Sequence, residues 1–205
     1  MEKLDIPKNV VARLPRYLQI LNVLAREGEG VISSIHLGER LGITAAQIRK
    51  DLSYFGGFGK QGSGYQIFKL IDEIQKILNV DRIWQIAIVG MGELGQGLVQ
   101  YHEFARHGFE LVLAFDADPA KFGSLVGTLA IKDIADMKDE VARLGVKIGI
   151  LTVSTESAQD VANLMVASGI KAILNYSPVK LELPKGVYVQ NADPIQPLQR
   201  MTFYL

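Results

Sequence analysis

The stretch Ile88-Val89-Gly90-Met91-Gly92-Glu93-Leu94-Gly95 reads as the end of a buried strand that runs through a glycine-rich turn into the first turn of a helix. A Gly-x-Gly-x-x-Gly pattern alone is weak evidence in a chain with 20 glycines. Its surroundings strengthen it: the apolar run 83–89 precedes it, an amphipathic run from Leu94 to Arg106 follows it, and Asp116 ends the next apolar run about 20 residues on. That is the outline of a strand, turn and helix that hold a dinucleotide. Gly90 allows the tight turn, Gly92 lets the backbone approach a pyrophosphate, and Gly95 lets the helix pack against the strand. The phosphates meet the amide donors of the turn, with Met91, Glu93 and Leu94 at the helix N-terminus. Asp116 accepts hydrogen bonds from ribose hydroxyls and repels a 2′-phosphate, and no arginine follows it in Ala117-Asp118, which favours NAD(H) over NADP(H). Lys121 either offsets the local acidity or faces the adenine side.

From residue 83 onward the pattern alternates strand and helix. Strands are expected at 83–89, 110–115, 147–153, 171–175 and 187–190, and helices at about 92–107, 133–144 and 156–168. Alternation of this kind predicts a doubly wound parallel sheet covered on both faces. The last residues, from Asp193 to Leu205, carry Ile195, Leu198, Met201 and Phe203 as an apolar stripe with little domain left to cover.

The N-terminal part has a different pattern. Leu14, Leu18, Leu21 and Leu24 recur at helical spacing, with Pro15 tolerated in the first turn, and Gly28-Glu29-Gly30 stops the helix. Ser33 or Ser34 caps a short second helix, Ile35 to Leu41, which ends at Gly42. Thr44-Ala45-Ala46-Gln47 matches a capping box, in which the Thr44 hydroxyl and the Gln47 amide satisfy each other's backbone donors and open a third helix. Two short helices across a tight turn, after a longer one, form a helix-turn-helix. On the third, Ile48, Leu52 and Phe55 share one face, while Gln47, Arg49, Lys50, Ser53 and Tyr54 supply groups that reach base edges and phosphates. The glycine-rich stretch 56–67, which includes Lys60 and Gln61, suits a hairpin wing. A helix over 68–78 closes the small domain, and Asn79-Val80-Asp81-Arg82 is the boundary. The expected domains are 1–80, a winged helix-turn-helix, 81–191, a Rossmann domain, and 192–205, a C-terminal helix.

Composition narrows the function classes. The hydrophobic fraction of 48% and charged fraction of 21% are ordinary for a globular chain. No apolar run approaches the roughly 20 residues that a membrane helix requires, and the start MEKLDIPKNV is charged, so the expectation is a cytoplasmic protein with no membrane partner. Zero cysteines exclude disulfides, thiol switches and Cys-ligated metals. Net charge is zero, yet residues 1–80 hold 11 basic against 8 acidic side chains and residues 81–205 hold 11 against 14. The asymmetry permits a nucleic-acid partner for the first part. His36, His102 and His107 are the only histidines. None lies in a later strand-to-helix loop, and no Tyr-x-x-x-Lys pair or metal-ligand cluster is present there. Binding without turnover is expected, with no catalytic and no metal-binding residues.

At Arg49-Lys50-Asp51-Leu52-Ser53-Tyr54-Phe55-Gly56 the chain resembles the bacterial redox-sensing transcriptional repressors called Rex. The resemblance extends through RLPRYL at 13–18, the glycine turn at 90–95, Phe115-Asp116-Ala117-Asp118-Pro119, the run Gly169 to Val179 and Asp193 before the final helix. It implies a homodimer that binds a palindromic double-stranded DNA operator, is released when NADH binds, and is DNA-bound when NAD+ dominates. It also implies that the last helix swaps onto the partner. Carried over residue by residue, the DNA surface takes in the helix starts at Ser33, Ser34, Thr44 and Ala45. The third helix enters the major groove, and the Lys60-Gln61 wing approaches the minor groove. Tyr101, Val153, Ser154, Asn175, Tyr176, Ser177 and Asp193 of the partner subunit line the nicotinamide end or the hinge. The chain departs from the family at Gln61 in the wing, at Gln19, and at Val153-Ser154-Thr155, where arginine, arginine and Val-Pro-Ala are common. Two alternatives stand beside it: a regulator of the same fold with another nucleotide effector, or a small NAD-dependent oxidoreductase.

Overall fold

The computed structural model describes residues 6–55 and 64–205. The chain forms two compact units, Met1–Arg82 and Ile83–Leu205.

In the first unit, α1 (Lys8–Val11) leads into α2 (Leu14–Arg26), with Pro15 in its first turn. A two-residue strand, β1 (Val31–Ile32), precedes α3 (Ser34–Leu41) and α4 (Ala45–Ser53). β2 (Tyr65–Gln66) pairs antiparallel with β1 and runs directly into α5 (Ile67–Leu78). One core joins them: Leu14, Tyr17, Leu21 and Leu24 of α2 meet Leu37, Leu41, Ile48, Leu52, Leu70 and Ile74. Of the apolar stripes predicted from spacing, Leu14, Leu21, Leu24, Ile48 and Leu52 are buried, while Leu18 and Phe55 pack against the same core half-buried. Of the expected wing, only its base at Gly64–Gln66 lies within the described residues; Lys60 and Gln61 lie outside them.

The second unit is a seven-stranded sheet in the order β5-β6-β4-β3-β7-β8-β9. Its strands are β3 (Trp84–Val89), β4 (Phe109–Asp116), β5 (Leu125–Val126), β6 (Leu129–Asp133), β7 (Ile148–Leu151), β8 (Ala172–Asn175) and β9 (Tyr188–Asn191). Only β5 runs antiparallel to its neighbour. Alternation along β3 divides the core: Ala87 and Val89 pack with Met137, Val141, Ala158 and Met165, which lie on α8 (Met137–Leu144) and α9 (Thr155–Ala167). Ile86 and Ile88 face the opposite layer, with Leu98, Val99 and Phe104. The sheet is thus covered on both faces, as a doubly wound sheet requires. After β6 the chain crosses back to the other side of β3, so the ends of β3 and β7 flank the switch point where such sheets bind ligands.

Two expectations change. The single helix over 92–107 is two short ones, α6 (Glu93–Val99) and α7 (Glu103–Arg106), separated at Gln100-Tyr101-His102. Gly95 and Gly97 each lower helical propensity by roughly 1 kcal/mol. The break also lets Phe104 pack on the sheet while Tyr101 stays exposed. The five expected strands are seven: β5 and β6 form a hairpin across Gly127-Thr128, with Gly127 at φ +60°. Both strands are too short for a clear period, and the glycine was the one signal of a turn.

Among the described residues, no helix is long and apolar enough to cross a membrane. Nor do three or more His, Asp or Glu cluster there as a metal would require. α10 (Ile195–Thr202) closes the chain with no buried residue; Ile195, Leu198 and Met201 are all more than half exposed.

Candidate functional site: a glycine cradle and a DNA-facing helix

Each glycine of the turn has its own geometry. Gly90 sits at φ +99°, and a Cβ there would come within 2.8 Å of the Thr152 backbone and the Val153 side chain. A Cβ on Gly95 would lie 2.0 Å from the Gly90 carbonyl oxygen, so the helix rests directly on the turn. Around Gly92, the N-cap of α6, a Cβ would meet nothing within 4 Å. The open position is the one assigned to a ligand's approach. Glu93 and Leu94 beyond it are exposed.

Asp116, at the end of β4, is 8% exposed and holds the turn. Its Oδ2 accepts the Met91 N–H at 2.7 Å and pairs with the Lys121 Nζ at 2.9 Å, while Oδ1 accepts the Asp118 N–H at 2.9 Å. Burial works to raise its pKa, but these donors and the lysine's charge outweigh it and hold the carboxyl below its usual value. Of the two roles read for Lys121, the ion pair with Asp116 is the one it makes. Asp118 caps the short turn Pro119–Lys121 by accepting the Ala120 N–H at 3.0 Å, and Ala117 is exposed beside it.

Thr152 went unrecognised in the sequence. From the end of β7 its hydroxyl donates to the Gly90 carbonyl at 2.7 Å and lies 3.0 Å from that of Val89. A threonine closing a parallel strand beside a glycine turn was the available signal. Hydrogen bonds continue along the carboxyl ends of the strands: the Ser177 hydroxyl donates to the Val153 carbonyl at 2.7 Å, and the Ser177 N–H donates to Asn175 Oδ1 at 2.9 Å. Asn175 Nδ2 donates to the Val179 carbonyl and to Asn191 Oδ1, both at 3.0 Å. The buried Asn175 side chain therefore ties β8 to β9 through Nδ2, while its Oδ1 holds the turn at Ser177. Tyr176 is half-buried; burial, and then the neighbouring Tyr101, raise the pKa of its phenol. Tyr101 stands edge-on to Phe104 with ring centroids 5.6 Å apart. Ser154 is the exposed N-cap of α9, and Asp193 Oδ1 accepts the Ile195 N–H at 2.8 Å where α10 begins.

In the first unit, of the two serines at the start of α3, Ser33 is the cap, accepting the His36 N–H at 3.1 Å, and Ser34 is the first helical residue. Gly42 ends α3 at φ +69°. A Cβ on Gly38, which spacing did not single out, would lie 2.5 Å from the Ile43 carbonyl, so the turn closes directly against α3. Thr44 accepts the Gln47 N–H at 3.1 Å, but the reciprocal half of the capping box is not made. Instead Gln47 Nε2 donates to the buried Asp51 carboxylate at 2.6 Å, because an ionised buried oxygen is the stronger acceptor. The Gln47 amide nitrogen thus faces the core side of α4. Arg49, Lys50 and Ser53 are exposed. Arg49 donates to the Ser34 hydroxyl at 3.0 Å, and the Ser53 hydroxyl donates to the Lys50 carbonyl at 2.7 Å. Ala45 and Tyr54 are half-buried at the two ends of α4.

Comparison with known proteins agrees with this division. Residues 5–53 match the family model described as "Putative DNA-binding protein N-terminus", and residues 81–179 match that described as "CoA binding domain". A redox-sensing transcriptional repressor Rex from Chloroflexus aurantiacus is 48% identical over all of this chain and 97% of its own length. The protein of that name from Roseiflexus is 41% identical over all of this chain and 94% of its own. Among solved structures, RSP, a Rex-family repressor, superposes with a TM-score of 0.91 at 36% identity, covering 98% of this chain and 94% of that one. RSP in complex with β-NAD+ and operator DNA gives 0.92 at 37% identity, with 98% and 93% covered. RSP in complex with β-NADH gives 0.89 at 35%, with 98% and 95% covered.

Proposed function

Because this chain belongs to the Rex family of redox-sensing transcriptional repressors, we propose that it holds an operator as a homodimer and releases it when NADH fills the glycine cradle. The observation that carries this reading is the pairing of an open Gly92 cradle, backed by Asp116, with a helix-turn-helix that exposes Arg49, Lys50 and Ser53. RSP, similar over nearly the full chain, has been solved with β-NADH and with β-NAD+ plus operator DNA, which supports both ligands. NAD(H) acts here as a signal with no turnover, in the cytoplasm, and no metal takes part.

In this reading Gly90 to Gly95 take the pyrophosphate and Asp116 takes the adenosine ribose, displacing Lys121 from part of the carboxylate. Val153, Ser154, Tyr101, Tyr176 and Ser177 border the nicotinamide. α10, whose apolar side is exposed, finds its cover on the second copy, and Asp193 enters the partner's site with it. The first domain, 1–80, reads the operator through α4 in the major groove, with Lys60 and Gln61 toward the minor groove. NADH shifts the dimer only by its differential affinity for the released form, and each tenfold preference is worth about 1.4 kcal/mol.

A band-shift titration on a palindromic operator selected from random duplex tests this. Micromolar NADH releases the DNA and NAD+ leaves it bound. Persistence of the complex at all NADH concentrations would overturn the reading.

A further inference from the structure

We propose that Asp51 is the positioning residue of the DNA-reading helix: joined to Arg13 and Tyr17 of the preceding helical layer, it fixes the rotation and register of α4. The inference rests on the reading of α4 as the operator-binding helix and adds how that helix is aimed.

The Asp51 side chain is fully buried, and three side chains converge on it. Arg13, the N-cap residue of α2, grips it at two points, Nε to Oδ2 at 2.6 Å and Nη2 to Oδ1 at 2.7 Å. The Tyr17 hydroxyl donates to Oδ2 at 2.5 Å, and Gln47 Nε2 to Oδ1 at 2.6 Å. Burial works to raise the Asp51 pKa, yet the three donors and the arginine's charge hold it low, so the ionised form is the one bound.

On α4 the inward stripe is Gln47, Ile48, Asp51 and Leu52, and the outward stripe holds Arg49, Lys50 and Ser53. Apolar contacts at Ile48 and Leu52 hold the helix down but tolerate small slides and rotations, because dispersion is not directional. A planar guanidinium fork does not tolerate them. Buried ion pairs add little net stability over apolar groups of the same volume. Geometry is therefore the better account of why a carboxylate occupies this core position. About 100° of helix separates Asp51 from Lys50, so any rotation at the fork swings the exposed Lys50 on the adjoining flank.

The test measures full-length Asp51→Asn and Arg13→Lys against the selected operator, a scrambled duplex of equal length, and NADH. The expected result is a roughly tenfold or greater loss of operator affinity, with scrambled-duplex affinity, its salt slope and NADH affinity unchanged. Lysine keeps the charge and loses the fork, so a purely electrostatic role predicts rescue by Arg13→Lys, and rescue would overturn the proposal. Operator affinity retained by Asp51→Asn, or operator and scrambled affinities falling together, would also overturn it. If either variant is unfolded at the assay temperature, Arg13→Met/Asp51→Leu fills the same space without polar groups. That protein is expected to fold and to lose its preference for the operator, and a folded double variant with full preference sinks the idea. Wild-type protein that shows no duplex preference removes the underlying reading itself; preference shared equally by wild type and Asp51→Asn removes only this proposal.

Discussion

Asp116 Oδ2 lies 2.7 Å from the Met91 backbone nitrogen, so the carboxylate at the end of one strand holds the glycine turn at the end of its neighbour. The residue assigned to the ribose therefore also sets the shape of the phosphate cradle.

Asp116→Ala removes both roles at once. NADH affinity should fall by 2 kcal/mol or more, since a charge-assisted bond of about 1.5–3 kcal/mol is lost together with the anchor of the turn. Isothermal titration of wild type and variant measures it. Affinity within twofold of wild type would separate Asp116 from the ligand.

Gly92→Ala and Gly95→Ala should differ in kind. A Cβ at Gly92 meets nothing within 4 Å, so thermal stability stays unchanged while NADH affinity drops at least about tenfold from the filled cradle. At Gly95 a Cβ would lie 2.0 Å from the Gly90 carbonyl oxygen, and about 1–3 kcal/mol of stability should be lost whether or not ligand is present. Calorimetric melts with and without NADH distinguish them, and equal melting losses in both variants contradict the assignment.

Lys50→Ala should weaken operator binding by about 1–3 kcal/mol and leave NADH affinity intact, because the exposed lysine lies in the first unit and the cradle in the second. Fluorescence anisotropy with labelled operator reads the first quantity and titration the second. A parallel loss of both means that α4 is not the reader.

The Asp51 network makes stability depend on pH from two sides. The Asp51 pKa is lowered in the folded chain, so its contribution is present above the unfolded value of about 3.9 and is lost as pH falls below it toward the folded value. The Tyr17 pKa is raised, by burial first and then by its bond to Asp51. Its contribution is present below the unfolded value of about 10 and is lost as pH rises through the folded value. Urea midpoints against pH should lose their acid slope in Asp51→Asn and their alkaline slope in Tyr17→Phe. An acid slope kept intact by Asp51→Asn would show that other carboxylates carry it.

Deletion of residues 195–205 removes the exposed Ile195, Leu198 and Met201. If these bury against a second copy, light scattering should show a shift from dimer to monomer at micromolar concentration. A truncated chain that stays dimeric would place the dimer contact elsewhere.

By itself, the sequence determined the features that depend on near neighbours: the Gly90–Gly95 turn, the Thr44 cap, the helical spacing of leucines in α2, and the alternation that predicts a doubly wound sheet. Each is written within a few residues, because helix and strand periods, caps and positive φ are local properties. Only the tertiary structure decided which distant groups meet. Arg13 and Asp51 are 38 residues apart, and Thr152 and Gly90 are 62 apart. The fold likewise set Asn175 against Asn191, 16 residues on, whereas Gln47 left its capping box for a near neighbour, Asp51, four residues along α4, once that carboxylate was buried. A buried polar group must find a partner wherever the chain crosses, and no spacing along the sequence encodes that crossing.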